Sequence, residues 1–313
     1  MAPGHPGGAS ELPPAGGIVN PAVRAVVVRW RGGDEIRRCL ASLLDHGGPH
    51  LAGVVLVDSG SGDGGAERLA TEFPSAQVLS LPENHGFAYA ADHGCAEGDE
   101  PFLLLLNPDA EITQGAIEAL VSLLDDHPGA AGAIPLLEGG DGESQHRWQL
   151  RRLPTPLRLA LGLSGTPAFT HPPSDPSPVA QPAAAAWLVR RSVWDALGGL
   201  DPIFAPAWWE DVDFCARLGA RLGDPDFPAD EGFVVQPAAR VRHAGGSSLS
   251  GLGDSAFLAV FFYNLLLYAG RHHHEHLNSI RRGLRGSLTL RGWLRPSRRE
   301  AYKAALAALA DES

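Results

Sequence analysis

The chain has 313 residues, enough for one large domain or two ordinary ones around a sizeable core. Hydrophobic residues make up 44% and charged residues 19%, a globular balance, and the formal net charge of -11 argues against a general nucleic-acid binder. Three scattered cysteines, Cys39, Cys95 and Cys215, with no CxxC pair, indicate neither a disulfide framework nor a zinc site and fit a reducing cytoplasm.

In chain order, residues 1–22 lack a basic start and an apolar stretch, so they read as a disordered arm rather than a signal peptide. "RAVVVRW" (Arg24 to Trp30) predicts a first strand. Asp34 is suited to cap a helix whose apolar stripe is Ile36, Leu40, Leu43 and Leu44. "VVLVDSGSGDGG" (Val54 to Gly65) is a strand breaking into a Gly/Ser/Asp loop, and "AQVLSL" is a third strand. "ENHGFAYAADHGCAE" starts as a loop and becomes a helix. "PFLLLLNPD" is a fourth strand, buried on both faces and ending abruptly at a carboxylate. A helix after Thr113 carries Ile117, Leu120, Val121 and Leu124 on one stripe and stops at Pro128-Gly129. "AAGAIPLL" is a fifth strand.

Strands alternating with helices predict an α/β fold with a mostly parallel sheet covered on both faces. Ligands in such sheets sit at the carboxyl ends of the strands, where Trp30-Arg31, Asp58 and Asp109 fall.

From Leu153 to Pro182 the chain is rich in Pro, Ser and Thr and reads as a long irregular connection. A strand "AAAAWLVRR", a short helix, "GGLDPIF", the acidic "WWEDVDFCARL" and two short strands, "GFVVQP" and "ARVRHAGGSS", follow. The remainder is helical. Its run from Ala256 to Gly270 is interrupted by Asn264 and is shorter than the ~20 residues of a membrane span, so it reads as a buried helix. The final stretch, Arg271 to Ser313, holds nine Lys/Arg against four Asp/Glu.

Several residues have chemistry to offer. Asp58 can accept the N–H of a uracil or thymine ring, or can serve as a turn residue. Pro108 fixes a backbone dihedral beside Asp109, whose carboxylate suits a divalent cation on a diphosphate or an ordinary turn. Glu210, Asp211 and Asp213 make an acidic first helical turn. Asp213 pairs with Arg217 four residues on, leaving Asp211 to act as a base. Trp208 and Trp209 suit a sugar face or the core. His243 suits a metal, a phosphate or a structural role. In "RHHHEH", His272 and His276 stand four apart but lack a third ligand, so this is a solvated helix end.

The order of "VVLVDSGSGDGG", "PENHGFAYAADHG", "LLLLNPDAEI", "AWLVRRSVWDALGGLDPIFAPAWWEDVDFCARL" and "VRHAGGSS" resembles the family 2 glycosyltransferases, nearest to rhamnosyltransferase-like and galactofuranosyltransferase-like bacterial members. The resemblance covers roughly Val23 to Tyr268. It implies a GT-A catalytic domain over residues 23–250, with a nucleotide-binding half (23–137) and an acceptor-binding half (138–250). A helical region with a basic tail would follow over 251–313.

It also implies that Asp58 meets the nucleotide base and that Asn84, Gly86 and Phe87 line the donor. Asn107-Pro108-Asp109 matches the metal-binding Asp-x-Asp with Asn at its first acid. Asp109 and His243 would then hold Mn2+ or Mg2+. Asp211 matches the general base, Glu210 contacts the acceptor, and Trp208, Trp209 and Gly199 shape the acceptor pocket. Two departures from the family are Arg29-Trp30-Arg31 after the first strand, and Asp92 where asparagine is common.

The implied activity is inverting transfer from dTDP-rhamnose or a UDP-sugar to a glycan, on a lipid carrier in cell-surface polysaccharide synthesis. The enzyme would be cytoplasmic, with the Arg-rich tail a contact for an anionic membrane or, equally, a solvated basic helix or an oligomer contact. The alternatives are a soluble small-molecule or protein acceptor, and a non-catalytic nucleotide-sugar-binding subunit.

Overall fold

The structure, a computed structural model, describes residues 22–245 and 253–309. The arm expected over residues 1–22, Ala22 excepted, and the glycine-serine stretch beyond Gly245 lie outside them.

The N-terminal part of the chain alternates strand and helix as predicted. Strands β1 (Val23–Arg29), β2 (Leu51–Ser59), β3 (Ala76–Leu81) and β4 (Phe102–Leu106) are joined through helices α1 (Asp34–His46), α2 (Gly65–Glu72) and α3 (Phe87–Cys95). β5 (Ala110–Ile112), α4 (Ala116–Asp126) and β6 (Ala130–Glu138) follow. Beyond them come the short α5 (His146–Gln149), β7 (Leu150–Arg152), α6 (Pro156–Ala160), β8 (Thr166–Pro167), β9 (Ser177–Val179) and β10 (Gln181–Pro182). Next are β11 (Ala186–Arg190), α7 (Arg191–Leu197), α8 (Glu210–Arg221) and β12 (Glu231–His243), and finally α9 (Asp254–His272), α10 (Leu277–Leu294) and α11 (Arg299–Ala308).

Among the described residues the main sheet has nine strands in the order β3-β2-β1-β4-β11-β6-β12-β5, with β9 also paired to β12. Its β1–β4 part is wholly parallel. β11 lies antiparallel between β4 and β6, whereas β6 and β12 are parallel to each other. Most strands therefore point one way. β4 shows why its sequence is continuously apolar: Leu104 and Leu106 enter one core, Leu103 and Leu105 the core on the opposite face. β7, β8 and β10 form a separate small sheet.

Five expectations need correction. Asp34 is the first residue of α1, not its cap; Gly33 holds that position, and Asp34 pairs with Arg37. Leu44 is 40% exposed, because it lies at the edge of a stripe that Cys39 completes instead. The 153–182 connection contains short strands and a helix. "GFVVQP" and "ARVRH" are one strand, β12, with a register shift between Gln236 and Arg240. "RHHHEH" is not a single helix end, since α9 stops at His272 and a 3-10 turn holds His276.

Candidate active site

The parallel strands deliver their carboxyl ends to one edge, where a cleft of about 810 Å³ opens. Its wall includes Trp30 and Arg31 after β1, Ser59 ending β2, Asn84 after β3 and Asn107-Pro108 after β4. Opposite stand Glu210 and Asp211 at the start of α8, Arg151 of β7, and Phe257 and Phe261 of α9.

Asp58 is not in that wall. Its Oδ1 accepts from Arg29 at 2.6 Å and from the Ser61 hydroxyl, and its Oδ2 accepts from the Ser61 backbone N–H at 3.2 Å. Arg29 and Asp58 are register partners on β1 and β2, and Arg29, 2% exposed, also reaches Asp63. The direct base contact expected of Asp58 is thus replaced by a buried ion pair that pins the Gly/Ser loop. Arg29, one of the family departures, causes this.

Asn84 organises the next loop. Its Oδ1 accepts from the Ser59 hydroxyl at 3.0 Å and from the Gly86 N–H at 2.9 Å. Gly86 has φ +93°, and a Cβ there would lie 2.9 Å from the Pro206 carbonyl oxygen, so only glycine fits. The Phe87 N–H donates to that same carbonyl at 2.8 Å. Phe87 borders the cleft.

Asn-Pro-Asp forms a turn, closed by the Ala110 N–H on the Asn107 carbonyl, that sends the chain into β5 beside the end of β12. Asp109 and His243 meet there, Oδ1 to Nε2 at 3.5 Å, with side chains 1% and 3% exposed. Gln145 Oε1 lies 2.9 Å from His243 Nδ1. This assigns the proton to Nδ1 and leaves the Nε2 lone pair towards Asp109. Burial lowers the imidazole pKa, partly countered by Asp109, so the ring is neutral at pH 7.

Asp109 Oδ1 has no hydrogen-bond partner. An orphaned carboxylate oxygen facing an imidazole nitrogen whose hydrogen-bond partner is the Asn107 amide, at 3.5 Å, fits two ligands of a divalent ion. Neither residue lines the cleft; Asn107 and Trp148, which stacks on His243, stand in front of them. Among the described residues no group of three or more His, Cys, Asp and Glu side chains is placed to hold a metal ion, so other ligands would come from a diphosphate and water.

On the far wall, Asp211 Oδ1 accepts from the Val212 N–H at 2.8 Å, and Oδ2 lies 3.4 Å from Gln181 Nε2 and 3.7 Å from the Arg151 guanidinium. Burial raises the Asp211 pKa while Arg151 opposes the rise. Glu210 is pushed up to about 8, first by burial and then by the Asp211 charge, and its Oε2 has no partner. At this helix start burial acts against the dipole and raises the pKa of both acids. Within the pair, Glu210 is therefore the better holder of a proton, and the Arg151 guanidinium favours the charge on Asp211.

Asp213, 0% exposed, pairs with Arg217 as predicted (2.7 Å), and also with Arg271 (3.0 Å) and His272 (2.7 Å). Burial acts to raise its pKa, but His272 and the two arginines outweigh it and hold the carboxyl low. His272 thus belongs to a buried network rather than a solvated end.

Trp208 and Trp209 both have left-handed backbones, φ +70° and +79°. Trp209, 2% exposed, packs with Tyr268 in the C-terminal core, and Trp208 stands edge-on to Phe257 at the cleft. Gly199 does not reach the cleft wall. A Cβ on it would lie 2.2 Å from Asp92 Oδ1, and its carbonyl accepts from Arg217. Asp92 is pushed up to about 7 by burial and is occupied with the Leu200 N–H. Sequence reasoning missed Arg151, Gln145, Gln181, Phe257 and Phe261. The two phenylalanines, four residues apart within an apolar helix, carry no local sign of a site.

A mostly parallel sheet with a cleft at its carboxyl edge, an acidic helix start on one wall and an Asn-Pro-Asp turn on the other is the arrangement of a GT-A fold. The chain belongs to glycosyl transferase family 2, whose family model matches residues 25–197. It is 30% identical over 307 residues to the N-acetylglucosaminyl-diphospho-decaprenol L-rhamnosyltransferase of Mycobacterium tuberculosis, covering 89% of this chain and 96% of that protein.

Among solved structures, GalNAc-T7 with UDP, GalNAc and Mn2+ is similar at a TM-score of 0.60 and 15% identity, over 82% of this chain and 49% of that one. The mannosyltransferase PcManGT of Pyrobaculum calidifontis, with GDP-Man and Mn2+, matches at a TM-score of 0.54 and 16% identity, over 93% and 75%. S. aureus TarS 1-349 with UDP-GlcNAc matches at 0.51 and 15%, over 85% and 71%. At these identities the three structures speak for the fold.

Proposed function

We propose that the protein is an inverting, metal-dependent transferase that moves a sugar from a nucleoside-diphosphate donor to a hydroxyl of a lipid-linked glycan, for cell-surface polysaccharide. L-Rhamnose from dTDP-rhamnose is the favoured donor, supported by the mycobacterial relative, and a UDP-sugar is the second choice. Asp109 and His243, with Asn107 in front, would hold Mn2+ or Mg2+, which supplies charge neutralisation for the leaving diphosphate.

The chain's own groups do the rest. Asn84, Gly86 and Phe87 shape the donor wall, and Asp58 acts through Arg29 and Ser61 by fixing the loop beside it. Trp208 offers a ring to the acceptor, and protonated Glu210 donates a hydrogen bond to it. Asp211 takes the proton of the attacking hydroxyl. That oxygen bonds to the anomeric carbon from the face opposite the diphosphate, whose bond breaks and carries its electron pair away. Arg151 keeps Asp211 charged until it acts.

The observation that carries this reading is Asp211: a buried, arginine-supported carboxylate on the cleft wall across from the strand ends. General bases contribute ~10²–10⁴-fold. Asp211→Asn is therefore expected to lower transfer of labelled sugar by at least about 10²-fold while nucleoside diphosphates still bind with Mn2+ in calorimetry. Full transfer by the variant overturns the base assignment. A wild-type protein that binds nucleotide but transfers nothing to glycan-lipid overturns the activity in favour of a binding subunit.

A further inference from the structure

Away from the cleft, large apolar side chains stand in solvent on two packed elements. Leu157 in α6 and Leu161 just past its end are 71% and 46% exposed; Leu290, Trp293 and Leu294 of α10 are 54%, 76% and 59% exposed. The two elements are fastened together. Gly283 abuts Ala160, leaving no room for a Cβ, and Ser287 Oγ and Arg291 Nη2 both donate to the Leu161 carbonyl, at 3.0 and 2.9 Å. Leu290 and Leu294 each lie three residues beyond one of those donors, hence on the same side of α10. The side chains form one strip. The core needs none of them, because α10 already buries Ile280, Leu284 and Leu288.

Charge accompanies the strip. Between Leu277 and Arg299 there are seven arginines and no acidic residue, in a chain of net charge -11. Arg282, Arg285 and Arg295 are exposed. Apolar side chains including a tryptophan, set among cations of one sign, complement an anionic lipid interface. A second copy of the chain complements it poorly, since a two-fold contact would bring like charges together. The strip is also near the chemistry: Leu161 is three residues from Ser164, which lines the cleft. Among the described residues no helix is long and apolar enough to cross a membrane.

We propose that the α6–α10 strip is a docking surface for an anionic bilayer, which seats the cleft at the membrane face. Docking is read from the strip itself; that it presents a lipid-linked acceptor to the cleft rests on the function proposed above. The experiment is flotation of the full chain with vesicles of phosphatidylcholine, with and without phosphatidylglycerol, over a salt series. The same samples are titrated with dTDP and UDP. The expected result is salt-sensitive flotation with the phosphatidylglycerol vesicles, reduced about tenfold or more in a Leu157→Ser, Trp293→Ser double variant whose nucleotide affinity is unchanged. Absence of wild-type flotation, or equal flotation of the variant, overturns the proposal. So does a lipid-free dimer in sedimentation that the variant abolishes, which would make the strip a protein interface. A protein that floats as expected yet binds no nucleotide keeps the docking surface and overturns the transferase reading instead.

Discussion

Glu210 and Asp211 are neighbours in one helical turn, both buried, yet they do not titrate alike. Glu210 has no cation beside it and is pushed up to about 8, whereas Arg151 steadies the Asp211 carboxylate. Removing that guanidinium raises the Asp211 pKa further. The limb of kcat/KM that rises as Asp211 loses its proton must then move to higher pH. Arg151→Ala is expected to shift it upward by about one unit or more, so that the loss of activity is concentrated on the acid side of the profile and recovers at higher pH. A uniform loss across the pH profile would mean that Arg151 serves binding only. The sequence singles out Asp211 as the candidate base because Asp213 has a partner four residues on, Arg217, and Asp211 has none at that spacing. Arg151 was not legible, because 60 positions separate it from Asp211 and the fold alone joins them. Gly199 misled for the complementary reason: its motif is beside the site in sequence, but its backbone turns towards Asp92.

At the scale of elements, the two-face burial of β4 was plain from four consecutive leucines, whereas β5, three residues long, had no pattern to display. β12 was read as two strands because its irregularity spans proline and small residues, and only the pairing to β6 shows that the strand resumes. The join between α8 and α9 was half legible. The i, i+4 pair Asp213–Arg217 follows from spacing, but Arg271 and His272 reach Asp213 from another helix. Asp213→Ala leaves those cations unpaired around a buried hole, which should cost about 3–5 kcal/mol in denaturant unfolding. The exposed Arg37–Glu72 pair, solvated and screened by salt, contributes far less by contrast. Because the folded-state pKa of Asp213 lies below its unfolded value, its contribution is fully present above the ordinary carboxylate range. It disappears as pH falls through the folded value. The wild-type and variant stability curves should therefore converge in acid. Parallel curves would show that packing, not charge, accounts for the loss.

Taken whole, the molecule does not leave its C-terminal helices outside the site. Phe257 and Phe261 of α9 form part of the cleft wall, and the core around α9–α11 takes in Phe204, Trp209 and Val212 from beside the start of α8. The segment from Phe204 to Trp208 is the link. Asn264, fully buried in α9, donates its amide to the carbonyls of Phe204, Ala207 and Trp208 at 2.8–3.1 Å. Within that segment the Pro206 carbonyl receives the N–H of Phe87 at the start of α3. A chain of contacts thus runs from the C-terminal helices, through one asparagine, to the wall of the cleft proposed to hold the donor. Asn264→Ala strips buried carbonyls of their donor, at about 1–3 kcal/mol each if no water replaces it. We expect unfolding stability to fall by at least about 2 kcal/mol, KM for the acceptor to rise, and nucleotide affinity in calorimetry to weaken with it, because Phe87 loses its fixed partner. Weakened transfer with unaltered nucleotide affinity would confine the segment to the acceptor and break the proposed link between the two halves.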